Sequence, residues 1–181
     1  MGRKRRNFSE HGARVPFLTW GYNGRVEVAL RSAAAGDFEA LWTLDQQCFP
    51  PEIAYSQREL AVYMKQRGAF TVVATGAGSE ILGFLVACAR RNGLGHIITI
   101  DVRSDARRTG VGTKLLRASE ERLRAAQCRA VYLETAVDNR DALAFYKRHG
   151  YYLIKTVPRY YSNGVDALVL EKDLLSAAQA S

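Results

Sequence analysis

Apolar and polar positions along this chain repeat with two periods, and the points where one gives way to the other predict its elements. Residues 26–30, Val-Glu-Val-Ala-Leu, alternate with period two and predict a first strand. Over residues 37–48 the apolar positions Phe38, Leu41, Leu44 and Cys48 recur at helical spacing, with Asp37 placed to cap the start. Phe49-Pro50-Pro51 must end that helix, because proline lacks the N–H and its ring blocks the preceding turn. Ser56 opens a second helix, with Glu59 at the capping-box position and Leu60, Tyr63 and Met64 facing inward.

Residues 70–74 and 81–88 are apolar runs joined by Gly76-Ala77-Gly78-Ser79-Glu80, which predicts a hairpin. Asn92-Gly93 marks the turn into a further strand over 96–102. The stretch 113–127 returns to the helical period, with Leu115, Leu116, Ser119, Leu123 and Ala126 as its inner stripe. A strand over 131–135 follows. Asn139 is placed to cap a short helix running to Arg148, and Gly150 to terminate it. Strands over 151–157 and 165–170 close the chain across an aromatic-rich connection, 158–164. The order β-α-α-β-β-β-α-β-α-β-β mixes hairpins with crossover helices. It predicts an α/β fold with a mixed sheet and helices on both faces.

Composition narrows the picture. A chain of 181 residues that is 48% apolar is one ordinary domain with enough material for a core. We expect that domain over 26–175, between a basic N-terminal extension (1–25) and a short C-terminal tail (176–181). No apolar run approaches the roughly 20 residues that cross a bilayer, so no membrane association is expected. The basic start has no apolar segment behind it, unlike a secretory signal. Cys48, Cys88 and Cys128 are widely spaced with no C-x-x-C pair, which argues against a disulfide framework or a metal site and for a reducing, cytoplasmic setting. The formal charge of +8 is uneven: residues 1–25 hold six Lys/Arg against Glu10, and the remainder 20 against 17 acids. The extension therefore reads as solvated, with nucleic-acid contact as its functional alternative.

The candidate chemistry starts at Arg107-Arg108-Thr109-Gly110-Val111-Gly112, between a predicted strand and a predicted helix. A strand that turns through glycines into a helix gathers free backbone N–H groups and the positive end of the helix dipole at one spot. With two arginines beside it, the stretch reads as a pyrophosphate cradle; taken alone it also fits an ordinary strand–helix turn.

Downstream, Asn139, Ala142, Phe145-Tyr146 and Gly150-Tyr151 fall at the spacing N-x-x-A-x-x-[FL]-Y-x-x-x-G-[FY]. Together with [QR]-x-x-G-x-[GA] over 107–112, this segment resembles the GCN5-related N-acetyltransferase (GNAT) superfamily, and most of all its RimI-like N-terminal protein acetyltransferases. The resemblance is close over 96–172 and looser back to Val26. It implies a V-shaped, mostly antiparallel sheet of about seven strands, with acetyl-CoA as co-substrate where the strand at 96–102 splays from that at 131–135. The backbone of Ile100, Asp101 and Val102 would hold the acetyl and pantetheine. Residues Arg107, Arg108, Thr109, Gly110, Val111 and Gly112 would hold the pyrophosphate, and Asn139 would contact the pantetheine arm beside Tyr146.

The reaction needs a neutral amine and a proton for the leaving thiolate. Tyr146 is the candidate acid, with a core tyrosine as the alternative. Glu134 stands where RimI-like enzymes place their base, and His96 is its rival or its partner through water; a histidine at a strand end with a backbone partner is the alternative. Tyr160-Tyr161 resembles the tyrosine pair that holds a peptide backbone in N-terminal acetyltransferases. Phe49, Pro50, Glu52 and Tyr55 match the loop around the substrate's first residue, although Glu52 departs from the small or apolar residues expected there. The resemblance implies acetylation of the N-terminal α-amine of a protein or peptide, ribosomal proteins included. A protein lysine or a small amine (a polyamine or an aminoglycoside) is the alternative acceptor. From another class, the alternatives are a non-catalytic acyl-CoA binder and a nucleic-acid-associated module. None of this chemistry calls for a metal.

Overall fold

The computed structural model describes residues 27–175; the expected N-terminal extension and its nucleic-acid reading, and the tail from 176, lie outside them. The elements are β1 (Ala29–Ser32), α1 (Phe38–Cys48), α2 (Gln57–Lys65), β2 (Ala69–Thr75), β3 (Ile81–Ala89), β4 (Leu94–Val102), α3 (Val111–Ala125), β5 (Ala130–Ala136), α4 (Arg140–Arg148), β6 (Tyr152–Val157) and β7 (Ala167–Asp173). Their order is the one that the hydrophobic pattern predicts. They form one seven-stranded sheet, β1-β2-β3-β4-β5-β7-β6, antiparallel except for the β4–β5 pair.

That parallel pair is short. Leu94 faces Ala130, Gly95 faces Val131 and His96 faces Tyr132, and the register goes no further. Beyond His96 the two strands part, although β5 stays paired with β7 along its whole length. The sheet is therefore a V that opens at the C-terminal half of β4.

Two apolar clusters cover its faces. Leu115, Leu116 and Leu123 of α3 pack with Phe70, Leu85, Ile97, Val131 and Leu133 on one side. On the other, Leu41 and Leu44 of α1 and Leu60 of α2 pack with Val73, Phe84 and Val86. Covered on both faces, β2 and β3 are buried nearly throughout, which is why their sequences read as continuous apolar runs rather than alternations.

In β4 a bulge alters the alternation. Val86 and Ala87 are consecutive, but their partners are Thr99 and Ile97, so Ile98 is an extra residue. Ile97, Ile100 and Val102 accordingly pack on the α3 side, whereas Ile98 packs with α1 and α2.

Three expectations are corrected. The first strand runs from Ala29, not from 26, with Val26 outside the described residues. Asp37 does not cap α1: its backbone is already helical, and its carboxylate accepts from the Ala34 N–H (2.7 Å) and the Arg31 guanidinium (2.6 and 2.9 Å). Ala126 is exposed, because α3 ends at Ala125 and Gln127 turns the chain with φ +62°. Glu120, by contrast, is buried on the inner side of α3, where its carboxylate accepts from Lys172 Nζ (2.7 Å) and the Tyr151 hydroxyl (3.1 Å).

Candidate active site at the fork of the sheet

At the fork, β4 and β5 bring His96 and Glu134 together. His96 is opposite Tyr132 in the register, and Glu134 lies two residues further along β5, on the same face. His96 Nε2 is 2.8 Å from Glu134 Oε2, a direct contact where the sequence left room for a water. The His96 ring stacks on Tyr132 with centroids 4.4 Å apart and planes 7° from parallel. Its other nitrogen, Nδ1, receives Arg90 Nη2 at 2.9 Å. Both members of the pair stay partly open, with side chains 13% and 20% exposed.

Two loops wall this face. After α1, the chain at Tyr55 is held by three side chains of that helix. Asp45 Oδ2 accepts the Tyr55 N–H (2.8 Å), while Trp42 Nε1 (3.0 Å) and Gln46 Nε2 (2.9 Å) donate to its carbonyl. The Tyr55 hydroxyl donates to the carbonyl of Ile98, the bulged residue (3.4 Å). From the β6–β7 connection, Tyr160 and Tyr161 meet edge to face with centroids 5.1 Å apart. Burial lifts both phenols above their ordinary range, Tyr161 to about 12, and the Glu134 carboxylate adds to the rise in each. The two loops are tied where Ser162 Oγ donates to the Glu52 carbonyl (2.7 Å). Phe49 is half-buried, whereas Pro50 and Glu52 are exposed on the rim.

Tyr146 projects from α4 and is only 5% exposed, packed edge to face against Phe145 and Tyr151. Burial, then the nearby Asp101 and Tyr161, push its phenol well up, and its hydroxyl makes no hydrogen bond among the described residues. Asn139 caps α4, its Oδ1 accepting the Ala142 N–H (3.2 Å).

On the α3 side of the fork is the glycine turn. Arg107 folds back so that Nε donates to the Val102 carbonyl (3.0 Å), and Thr109 Oγ1 donates to the Ala106 carbonyl (2.7 Å). Arg108 and Gly110 are both left-handed, with φ +61° and +96°. Gly110 occupies the N-cap position, so no side chain satisfies the first N–H groups of α3. A Cβ at Gly110 would meet nothing within 4 Å, and one at Gly112 would make only ordinary contact with Phe145 at 3.5 Å. The chain's own packing thus does not explain the glycine at 112. A free helix N-terminus with open space in front and arginines beside it fits the pyrophosphate of a bound acetyl-CoA.

Beneath the fork lie two buried carboxylates, Asp45 and Asp101, each with 0% exposure and one oxygen without a partner among the described residues. Burial raises both, Asp45 to about 6; for Asp101 the nearby Asp45 adds to the rise, against Thr99 and Arg107. The Asp101 side chain accepts from Thr99 Oγ1 (3.0 Å), and the Val102 carbonyl is already taken by Arg107.

The structure thus joins His96, Glu134, Tyr55, Tyr160 and Tyr161 on one face, with Tyr146 reaching the same region from α4. The glycine turn and Asn139 lie at the start of α3 and α4. The sequence reading missed Arg90 and Tyr132. Tyr132 was within reach, since a strand carries residues 132 and 134 on one face. Arg90 had no local signal; only the closing of the β3–β4 hairpin brings it to His96.

Residues 38–151 match the family described as the acetyltransferase (GNAT) family. An uncharacterized N-acetyltransferase of Methanocaldococcus jannaschii is 41% identical over 81 residues, which make up 44% of this chain and 52% of that protein. The chain spans about half the length of the curated relatives of this kind. Over 165 residues, 83% of this chain and 95% of the relative, it is 26% identical to an N-alpha-acetyltransferase of Sulfolobus acidocaldarius. Among solved structures, Ard1 from Thermoplasma volcanium superposes with a TM-score of 0.74 at 26% identity, covering 81% of this chain and 97% of that one.

Proposed function

Because this chain belongs to the acetyltransferase (GNAT) family, we propose that it transfers acetyl from acetyl-CoA to the N-terminal α-amine of a protein or peptide. The observation that carries this reading is the direct His96–Glu134 pair at the fork, faced by Tyr55, Tyr160 and Tyr161. The name of the Sulfolobus acidocaldarius relative, N-alpha-acetyltransferase, supports the α-amine as acceptor.

When bound, acetyl-CoA supplies an acetyl group activated as a thioester. The backbone of Ile100, Asp101 and Val102 and the turn from Arg107 to Gly112 hold it, with Asn139 at the pantetheine arm. Glu134 takes the proton of the incoming amine on Oε1, since His96 occupies Oε2. Tyr146 protonates the departing sulfur. Its raised phenol keeps that proton throughout the working range and so stays available as the donor, although the thiolate, whose conjugate acid lies near ~8.5, is the weaker base of the two. The demand on Glu134 is lighter for an α-amine, near ~8, than for a lysine, near ~10.4. Phe49, Pro50, Glu52 and Tyr55 line the entry of the first residue, and Tyr160 and Tyr161 hold the peptide that follows. The acceptor class includes ribosomal proteins. Three free thiols, Cys48, Cys88 and Cys128, suit a cytoplasmic setting.

The test is thiol release from acetyl-CoA with short peptides bearing free N-termini, N-blocked peptides carrying lysine, and polyamines. Turnover is expected on free N-termini alone. Turnover on blocked lysine peptides or polyamines, with none on free N-termini, overturns the reading.

A further inference from the structure

We propose that Arg90 is a positioning residue: it fixes His96 as the Nε2–H tautomer and so leaves Glu134, not His96, as the group that takes the amine's proton. The inference rests on the function proposed above, but its first test does not need turnover.

A guanidinium has five N–H donors and no acceptor. Arg90 Nη2 is 2.9 Å from His96 Nδ1, so that nitrogen must present its lone pair. The ring proton of the neutral imidazole is then on Nε2, where it donates across 2.8 Å to Glu134 Oε2. In the opposite tautomer N–H would face N–H at Arg90, and a lone pair would face a carboxylate oxygen at Glu134. Each of those contacts is repulsive.

The fold holds the donor in place. Arg90 follows β3 directly, and its N–H donates to the Leu94 carbonyl (2.9 Å), closing the hairpin. Leu94 and His96 share a face of β4, so the Arg90 side chain reaches His96 diagonally across the pair. The guanidinium also lies over Tyr132, 5.6 Å from the centroid of the ring on which His96 stacks. Two contacts therefore aim one donor at Nδ1. Neither nitrogen of His96 is left to accept a proton from substrate. Among the described residues Glu134 keeps Oε1 clear, and its orientation is set by a donor that Arg90 maintains.

Arg90 is exposed, so its replacement leaves the core intact. Protein labelled with 15N at histidine has three imidazoles to assign, and His96→Gln identifies the signal of interest. At pH 8 the two-bond 15N–1H pattern of the wild type should be that of the Nε2–H tautomer. Arg90→Ala should mix the tautomers, and Arg90→Lys, which still offers a donor, should restore the pattern. In the kinetic arm, kcat should fall by about tenfold in Arg90→Ala with KM for acetyl-CoA unchanged, and recover in Arg90→Lys. An Nδ1–H or doubly protonated ring in the wild type overturns the proposal, as does an Arg90→Ala variant with an unaltered pattern. Absence of turnover on any N-terminus would refute the proposed function while leaving the tautomer result readable.

Discussion

Glu134 Oε2 and His96 Nε2 lie 2.8 Å apart across two parallel strands that separate immediately beyond them. The last paired residues, His96 and Tyr132, act as the hinge of the V, so the carboxylate is anchored at its closed end and faces the opening. A histidine–carboxylate pair so placed is held by sheet register rather than by a loop, which gives it a defined geometry. Glu134→Gln should keep the fold and lower kcat by roughly 10²–10⁴-fold, the usual scale for losing a positioned proton acceptor. His96→Gln should cost less, because glutamine can still offer an N–H to Glu134. Equal losses in the two variants, measured by steady-state kinetics, would make His96 a base in its own right.

Tyr146 is buried, its hydroxyl makes no hydrogen bond among the described residues, and both burial and Asp101 hold its phenol up. Tyr146→Phe should therefore lower kcat by on the order of 10²-fold or more and leave the Kd for acetyl-CoA nearly unchanged. Calorimetric titration beside the kinetics separates the two effects. A kcat like that of the wild type would remove the tyrosine from the reaction.

Much of the fold was legible because the elements follow their local periods: Ser56 with Glu59, Asn139, Gly110 and Gly150 all punctuate the chain where the pattern says they should. The errors have physical causes. Asp37 binds the Arg31 guanidinium and the Ala34 N–H rather than the α1 terminus, a choice made within the β1–α1 connection that the cap rule does not encode. The extra residue Ile98 in β4 had no counterpart in the sequence pattern, because a bulge leaves no trace in one strand read alone. At the site, the sequence pointed to Glu134, His96, Tyr146 and the glycine turn by residue type and spacing, and the structure places the first three at or near the fork and the turn at the start of α3. Arg90 and the buried pair Asp45 and Asp101 were not recognised in these roles, because they depend on which strands and helices become neighbours.

The two glycines of the turn should separate fold from binding. Gly110 adopts φ +96°, so Gly110→Ala should destabilise by about 1–2 kcal/mol. Gly112 has ordinary room for a methyl group, so Gly112→Ala should unfold at or slightly above the wild-type temperature, alanine being favoured over glycine in a helix by up to about 1 kcal/mol. KM for acetyl-CoA should nevertheless rise by about tenfold, as the methyl group intrudes where phosphate approaches the backbone. An unchanged KM would place the pyrophosphate elsewhere.

Burial lifts the Asp45 carboxyl from 3.8 to about 6 in the folded protein. Between these values the folded state binds more protons than the unfolded one, so stability should fall as pH rises from about 4 to about 6 and level off above. The raised value favours folding fully below 3.8, and that advantage is lost by the time pH passes about 6. Asn in place of Asp keeps an acceptor for the Tyr55 N–H and cannot ionise. Asp45→Asn should therefore remove about 2–3 kcal/mol of this pH dependence, as read from urea unfolding at pH 4 and pH 7.5. An identical slope in the two proteins would mean that Asp45 ionises in the folded state as easily as in water.

The central claim is the identity of the accepting nitrogen, and one peptide offering both candidates tests it most directly. A peptide with a free N-terminus and an internal lysine, incubated with the protein and acetyl-CoA, is fragmented in a mass spectrometer to locate the added acetyl group. The acetyl is expected on the N-terminal residue, at a rate that collapses in Glu134→Gln. Acetyl found on the lysine side chain, with the N-terminus untouched, would contradict it.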